Sequence, residues 1–154
     1  MNTNGPGNRQ NTQVPRGSLF EGLPGDTAHL PARIFVVDDE DFIRDLYRDV
    51  FESRGMTVFT APSGDEAVKV FRTMVHRPDI VIMDHRMPGK DGIETTRELL
   101  RMDPSVPIIF SSADETVREK ALEAGAVSFW AKPFPVGLLV DAMLDIVRAK
   151  RRQR

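Results

Sequence analysis

Residues 80–92 read Ile-Val-Ile-Met-Asp-His-Arg-Met-Pro-Gly-Lys-Asp-Gly. Ile80 to Met83 form a continuous apolar run, which reads as a buried strand. Asp84 stops the run. Met87-Pro88-Gly89 is a breaker cluster and Asp91-Gly92 a turn signal. A carboxylate that ends an apolar strand and is followed at once by a loop sits at the rim of a sheet. It is desolvated on one side and reachable from the other. Taken alone, this stretch favours an acid that merely caps its loop. What the rest of the chain brings to the same rim changes that balance.

The flanking sequence alternates short apolar runs with amphipathic stretches. Arg33 to Val37 is a β-branched and aromatic run, the first strand. A helix is predicted from Asp41 to Arg54, with Phe42, Ile43, Leu46, Tyr47, Val50 and Phe51 as its apolar stripe and Gly55 closing it. Met56 to Thr60 reads as the second strand, and Asp65 to His76 as the second helix, with Val75 among its inward residues. His76, alone in the last turn, reads as a cap or a solvated residue. Pro78 to Asp84 is the third strand and Asp91 to Met102 the third helix. Val106 to Phe110 is the fourth strand and Glu115 to Ala124 the fourth helix. Val127 to Ala131 is the fifth strand. Pro135 opens a fifth helix that runs to about Ala149, with Leu138, Leu139 and Met143 inward. Five strands alternating with five helices predict an α/β fold with a doubly wound parallel sheet.

Composition sets the outer limits. A chain of 154 residues suffices for one domain with a sizeable core. Its net charge of −2 gives no field directed at nucleic acid. The absence of cysteine excludes thiol nucleophiles and thiolate metal sites. No apolar stretch is long enough to span a membrane, and no apolar signal core opens the chain, so cytoplasm is the default expectation. Residues 1–31, rich in Asn, Gly, Pro and Thr, are expected to form a disordered arm. Residues 150–154 are expected to form a basic tail after the fifth helix.

In open α/β sheets ligands bind outside the carboxyl ends of the strands. That rule gathers Asp38 and Asp39 from the first strand and Asp84 from the third. The fourth delivers Ser111 or Ser112, and the fifth Lys132. In the four-acid run 38–41, Glu40 and Asp41 fit a helix N-cap favoured by the helix dipole. Asp38 and Asp39 fit it less well, because they abut an apolar strand. Three converging carboxylates raise one another's pKa unless a cation neutralises them, and oxygen ligands suit Mg2+. A metal, a lysine and a hydroxyl around one carboxylate make a cradle for a phosphoryl group. Its transfer needs positioning and charge neutralisation above all. Asp84, single and central, is the candidate nucleophile.

On these residues the chain resembles the receiver domain of two-component response regulators, the CheY-like family with the flavodoxin-type (βα)5 fold and strand order 2-1-3-4-5. The resemblance covers residues 32–149. Val36-Val37-Asp38-Asp39 looks like the family's acidic pair, and Asp84 with Met87-Pro88-Gly89 like its phosphoacceptor loop. Ser112-Ala113 looks like its switch hydroxyl and small neighbour. Gly125-Ala126, Phe129 and Lys132-Pro133-Phe134 look like its last signature.

The resemblance implies that Asp84 takes a phosphoryl group from a histidine kinase or phosphotransfer protein. It implies Mg2+ held by Asp39, Asp84 and the main-chain carbonyl of Arg86, with Asp38 acting mostly through water. Lys132 would pair with the acceptor carboxylate, Ser112 would close on the phosphate, and Phe129 would turn inward with it. The Lys132-Pro133 bond is expected to be cis. The face of the fourth helix, fifth strand and fifth helix would bind a target protein or a second copy of the chain. A stand-alone regulator is expected, with a receiver fragment of a larger regulator as the alternative. Nucleic acid and membrane are not expected partners. The protein is expected to be a phosphoacceptor with self-catalysed transfer and dephosphorylation, not a dedicated enzyme.

One departure stands out. The spacing from Ser112 to Lys132 is shorter than the family's usual one, and the loop into the fourth helix near Asp114 is where residues are missing. Arg86, two residues after the acceptor, overhangs the site and is expected to affect phosphoryl lifetime. A phosphohydrolase using an aspartyl-phosphate would want a second acid at that place. A protein-binding pseudo-receiver would lack the acidic pair, the acceptor or the lysine. A flavin-binding module would want a phosphate loop where the four acids stand.

Overall fold

Alternating side-chain direction along each strand sorts the apolar residues into two cores, one on each face of a single sheet. The computed structural model describes residues 31–154, so the arm expected over residues 1–31 lies outside the described residues except for Pro31. Five parallel strands make the sheet: β1 (Arg33–Val37), β2 (Thr57–Ala61), β3 (Ile80–Asp84), β4 (Ile108–Ser112) and β5 (Ser128–Ala131), in the order β2-β1-β3-β4-β5. The helices are α1 (Asp41–Glu52), α2 (Gly64–Thr73), α3 (Gly92–Met102), α4 (Arg118–Glu123) and α5 (Val136–Arg152). Phe35, Val37, Val81, Met83, Ile108 and Phe110 point to the face covered by α2, α3 and α4, where they meet Phe71, Leu99 and Ala121. Ile34, Val36, Ile80, Ile82 and Ile109 point to the face covered by α1 and α5, where they meet Phe51, Leu139 and Met143. This period of two is why Ile34 to Val37 of β1 and Ile80 to Met83 of β3 are continuously apolar: both faces of the central strands are buried.

Several element ends differ from the periodicity reading. β2 and β4 begin one and two residues later than predicted, because the ladder reaches its full register only at Thr57 and Ile108. α2 stops at Thr73, and Met74 turns to an extended conformation. Val75 is therefore not inward but 90% exposed, and His76 follows the helix rather than ending it. On α1 the apolar stripe is wider than the buried face. Tyr47 and Phe51 are buried, whereas Phe42 is 75% exposed. Leu138, expected inward, is 57% exposed.

α5 continues to Arg152, so Lys150 and Arg151 belong to its last turn rather than to a separate tail. Asp79, just ahead of β3 and only 4% exposed, explains the extension. Its Oδ2 accepts from the backbone N–H of Arg33 at 2.8 Å and from Nη2 of Arg151 at 3.1 Å. One buried carboxylate thereby ties the start of β1 to the end of α5. Removing that carboxylate takes a buried acceptor from a backbone N–H and from a guanidinium at once, which is costly.

Candidate functional site

The loop after β3 is held from several sides before any functional group is considered. Asp91 caps α3, accepting from the Glu94 N–H, while the Glu94 side chain accepts from the Asp91 N–H, a complete capping box. The Gly92 N–H donates to the carbonyl of His85 at 3.0 Å. A Cβ on Gly92 would lie 2.1 Å from the Asp84 carbonyl oxygen, so only glycine lets α3 start this close to the strand end. Lys90 spans to Glu98 on α3 and to Asp65 on α2. Asp84 is thus carried on a strand end whose following loop is pinned to two helices.

Around it the strand ends bring together what their order predicts. Carboxylate oxygens of Asp38, Asp39 and Asp84 lie within 4.8 Å of one another. Lys132 Nζ donates to Asp84 Oδ1 at 2.8 Å and reaches Asp38 Oδ2 at 3.3 Å. The other oxygen of Asp38 accepts from the Glu40 N–H. Asp38 and Asp84 are buried while Asp39 is exposed. Glu40 is the N-cap residue of α1 but makes no side-chain capping bond. The Lys132 N–H donates to the Ser112 carbonyl, closing β5 against β4, and the Lys132-Pro133 bond is cis.

The open side is a cleft of about 360 Å³ lined by Asp39, Glu40, Asp84, Arg86, Ser112, Ala113 and Lys132. Ser112 faces this cleft. Ser111 is equally buried, but it pairs in register with Asp84 and does not line the opening. The Ser112 hydroxyl accepts from the Asp114 N–H at 3.0 Å. Phe129 is buried, with its ring stacked on Phe110 at 6.1 Å and the Arg118 guanidinium 4.7 Å above it.

Sequence reasoning passed over Asp114 as a site residue. Its carboxylate meets Arg86 Nη2 at 3.3 Å across the cleft mouth and accepts from the Thr116 N–H. It therefore caps the 3-10 turn Glu115–Val117 that leads directly into the six-residue α4. One residue, Ala113, separates the end of β4 from the cap. The available signal was an acid two residues after a strand-end serine, which also reads as an ordinary turn former.

The electrostatics follow from three acids facing one lysine. Burial raises the Asp84 pKa above the usual carboxylate range. The Lys132 hydrogen bond works against this and the Asp38 charge adds to it. Burial also opposes the charge on Lys132, but its hydrogen bond to Asp84 and the charges of Asp84 and Asp38 outweigh that and raise its pKa. Burial favours the proton on Asp84, and the neighbouring carboxylates favour the one on Lys132. A donor set of carboxylates without nitrogen or sulfur fits a hard divalent cation, which would offset their negative charge.

Comparison with known proteins agrees with this arrangement. The family model described as the response regulator receiver domain matches residues 34–144. The chemotaxis protein CheY of Halobacterium salinarum is 36% identical, over 76% of this chain and 98% of that protein. The transcriptional regulatory protein SphR of Synechococcus elongatus is 34% identical, over 79% of this chain and 51% of that protein. The receiver domain of a Pseudomonas aeruginosa sensor histidine kinase, described with a magnesium ion in its active-site cleft, aligns with a TM-score of 0.69 at 29% identity, over 77% of this chain and 98% of that one. The response regulator TrrA of Thermotoga maritima, described in complex with Mg2+ and BeF, aligns with a TM-score of 0.68 at 31% identity, over 75% and 98%. Strand order, the acids at the strand ends and the matched span agree: the chain belongs to the response regulator receiver domain family of two-component signalling.

Proposed function

We propose that Asp84 is the phosphoacceptor of a two-component response regulator. The observation that carries this reading is the position of the Lys132 ammonium, 2.8 Å from Asp84 in a cluster with Asp38 and Asp39. A carboxylate oxygen of Asp84 forms the new P–O bond. The P–N bond of a kinase's or phosphotransfer protein's phosphohistidine breaks, and the imidazole nitrogen keeps the electron pair. Asp39, Asp84 and the Arg86 main-chain carbonyl, with Asp38 acting mostly through water, would hold Mg2+, which would supply charge neutralisation for the transferring oxygens. Lys132 steadies Asp84 before transfer and the phosphoryl oxygens after it. Ser112, lining the same cleft, donates its hydroxyl to the phosphoryl group. Phe129 responds two residue pairs from Ser112 in the register, packed on Phe110.

The new charge biases a two-state element, the α4-β5-α5 face, which binds a target protein or a second copy. Coverage of nearly the whole of a CheY protein supports a single-domain regulator. Coverage of half of SphR supports the alternative, a receiver joined to an output domain. The protein acts as a phosphoacceptor rather than a dedicated enzyme, in the cytoplasm. Among the described residues no helix is long and apolar enough to cross a membrane.

Intact mass after incubation with Mg2+ and acetyl phosphate tests the assignment. One labile phosphoryl adduct is expected on the wild type and none on Asp84→Asn or with Mg2+ removed. An adduct that survives Asp84→Asn would refute it.

A further inference from the structure

At the opposite end of the sheet from Asp84, the amino ends of the strands border a second cleft of about 670 Å³. Pro31, Arg33, Thr57, His76, Arg151 and Arg154 line it, with Asp79 among them. Among the described lining residues three arginines stand with one acid, Asp79. Asp79 fixes Arg33 and Arg151 in place through its hydrogen bonds. The cleft is far larger than a single inorganic anion, and one wall is Pro31.

Pro31 is also where residues 1–30 join the fold, and their charge is unevenly distributed. Residues 1–18 contain Arg9 and Arg16 and no acid. Residues 19–30, Leu-Phe-Glu-Gly-Leu-Pro-Gly-Asp-Thr-Ala-His-Leu, contain Glu21 and Asp26, no lysine or arginine, and the arm's apolar residues Leu19, Phe20, Leu23 and Leu30. The acidic and apolar half is the half next to the basic cleft.

We propose that the segment Leu19–Leu30 docks into this basal cleft of its own chain, with Glu21 and Asp26 facing the arginines and Leu23 or Phe20 against the wall. Reach is sufficient: Asp26 can extend ~17 Å and Glu21 ~33 Å from Pro31. Because the segment is continuous with the cleft wall, its effective concentration there is on the order of millimolar, so even weak contacts hold it. The docked segment covers the Asp79 clamp and so fastens the last turn of α5 to β1 at the end of the molecule away from the phosphoacceptor.

The test uses the full chain. No native cysteine competes for a label, so Gly22→Cys carries one spin label. Paramagnetic broadening is read at the backbone amides of Arg33, Thr57, Asp79 and Arg151. The same label in a chain that also carries Glu21→Lys and Asp26→Lys serves as the tethered but undocked reference. Amide exchange at Arg33, Thr57 and Asp79, each hydrogen-bonded at the cleft, is measured in parallel on the unlabelled chains.

Docking predicts broadening well above the reference and exchange about tenfold slower in the wild type than in the Lys variant. At a millimolar effective concentration a tenfold slowing corresponds to an intrinsic Kd of ~0.1 mM. Arg154→Glu added to the Lys variant restores part of both effects. Equal broadening and equal exchange in wild type and Lys variant would overturn the proposal. So would broadening of an unlabelled, isotope-enriched chain mixed with the labelled one, which would assign the cleft to the arm of a second copy. The acetyl phosphate adduct on Asp84 is unaffected by these arm substitutions, so failure here leaves the phosphoacceptor assignment standing.

Discussion

Raising the pH tests how the α1 core is coupled to the acidic site. Tyr47 is the chain's one tyrosine. It is buried on α1, with its ring stacked on Phe51 at 5.5 Å. Burial pushes its phenol up to about 12, with Lys132 drawing it down and Asp38 and Asp84 pushing it further up. In an unfolded chain the same group ionises near 10. Between those values the folded state keeps a proton that the unfolded state releases. The stabilisation is therefore complete below about pH 10 and is lost as the pH rises toward 12. The loss reaches ~1.4 kcal/mol by about pH 11 and approaches ~2.7 kcal/mol for the full two-unit difference.

Near-ultraviolet phenolate absorbance reads this tyrosine alone, and the single Trp130 reports folding independently by fluorescence. At about pH 11 roughly a tenth of the folded protein should carry phenolate, against roughly nine-tenths of the unfolded chain. Tyr47→Phe should lose less stability between neutral and strongly alkaline pH than the wild type, by the same ~1.4 kcal/mol at about pH 11. The raised pKa of Lys132 destabilises both proteins in the same direction and cancels in that difference. Phenolate absorbance with a midpoint near 10, while the tryptophan signal stays native, would refute the reasoning.

Three other perturbations have definite outcomes. Asp79→Ala removes one buried carboxylate that accepts from both the Arg33 N–H and Arg151 Nη2. It should cost ~3 kcal/mol, seen as a lower urea midpoint at unchanged slope. Gly92→Ala forces the Asp84 carbonyl away from its present place, since the new methyl would stand 2.1 Å from it. Weaker Mg2+ binding and slower adduct formation should accompany the stability loss, whereas Gly137→Ala, which meets nothing within 4 Å, should change neither. Lys132→Met removes the cation nearest Asp38 and Asp84. It should lower stability in chelator, increase the stabilisation gained on adding Mg2+, and slow phosphoryl transfer. An unchanged response to Mg2+ would argue against a cation site at these acids.

Legibility in the sequence followed the distance over which the deciding interaction acts. The site residues were readable because the rule for ligand sites in parallel sheets turns five positions scattered from residue 38 to residue 132 into one rim, and the strands carrying them are continuous apolar runs. Ser111 and Ser112 could not be separated by composition, but one residue of strand alternation separates them in space. Phe42 and Leu138 extend apolar stripes at the right spacing, yet periodicity gives the direction of a stripe and not the width of the face that covers it. Asp79 had no local signal. Its partners lie 46 and 72 residues away, and an acid beside a proline before a strand looks like any turn. Asp114 was obscured in the same way, because its ion pair with Arg86 spans 28 residues.

The division of the apolar residues into two cores has a consequence for how variation accumulates. Phe35 and Phe71 share one side of the sheet, with rings 6.3 Å apart, while Met143 lies on the other side. Truncations of Phe35 and Phe71 should interact in a double-mutant cycle, and truncations of Phe71 and Met143 should add to within ~0.5 kcal/mol. The sheet is thus a partition between two separately repairable compartments. A damaging exchange under α2 can be compensated under α2 without disturbing α1 or α5. Asp84 closes the strand that both compartments share, so its place is insured twice over.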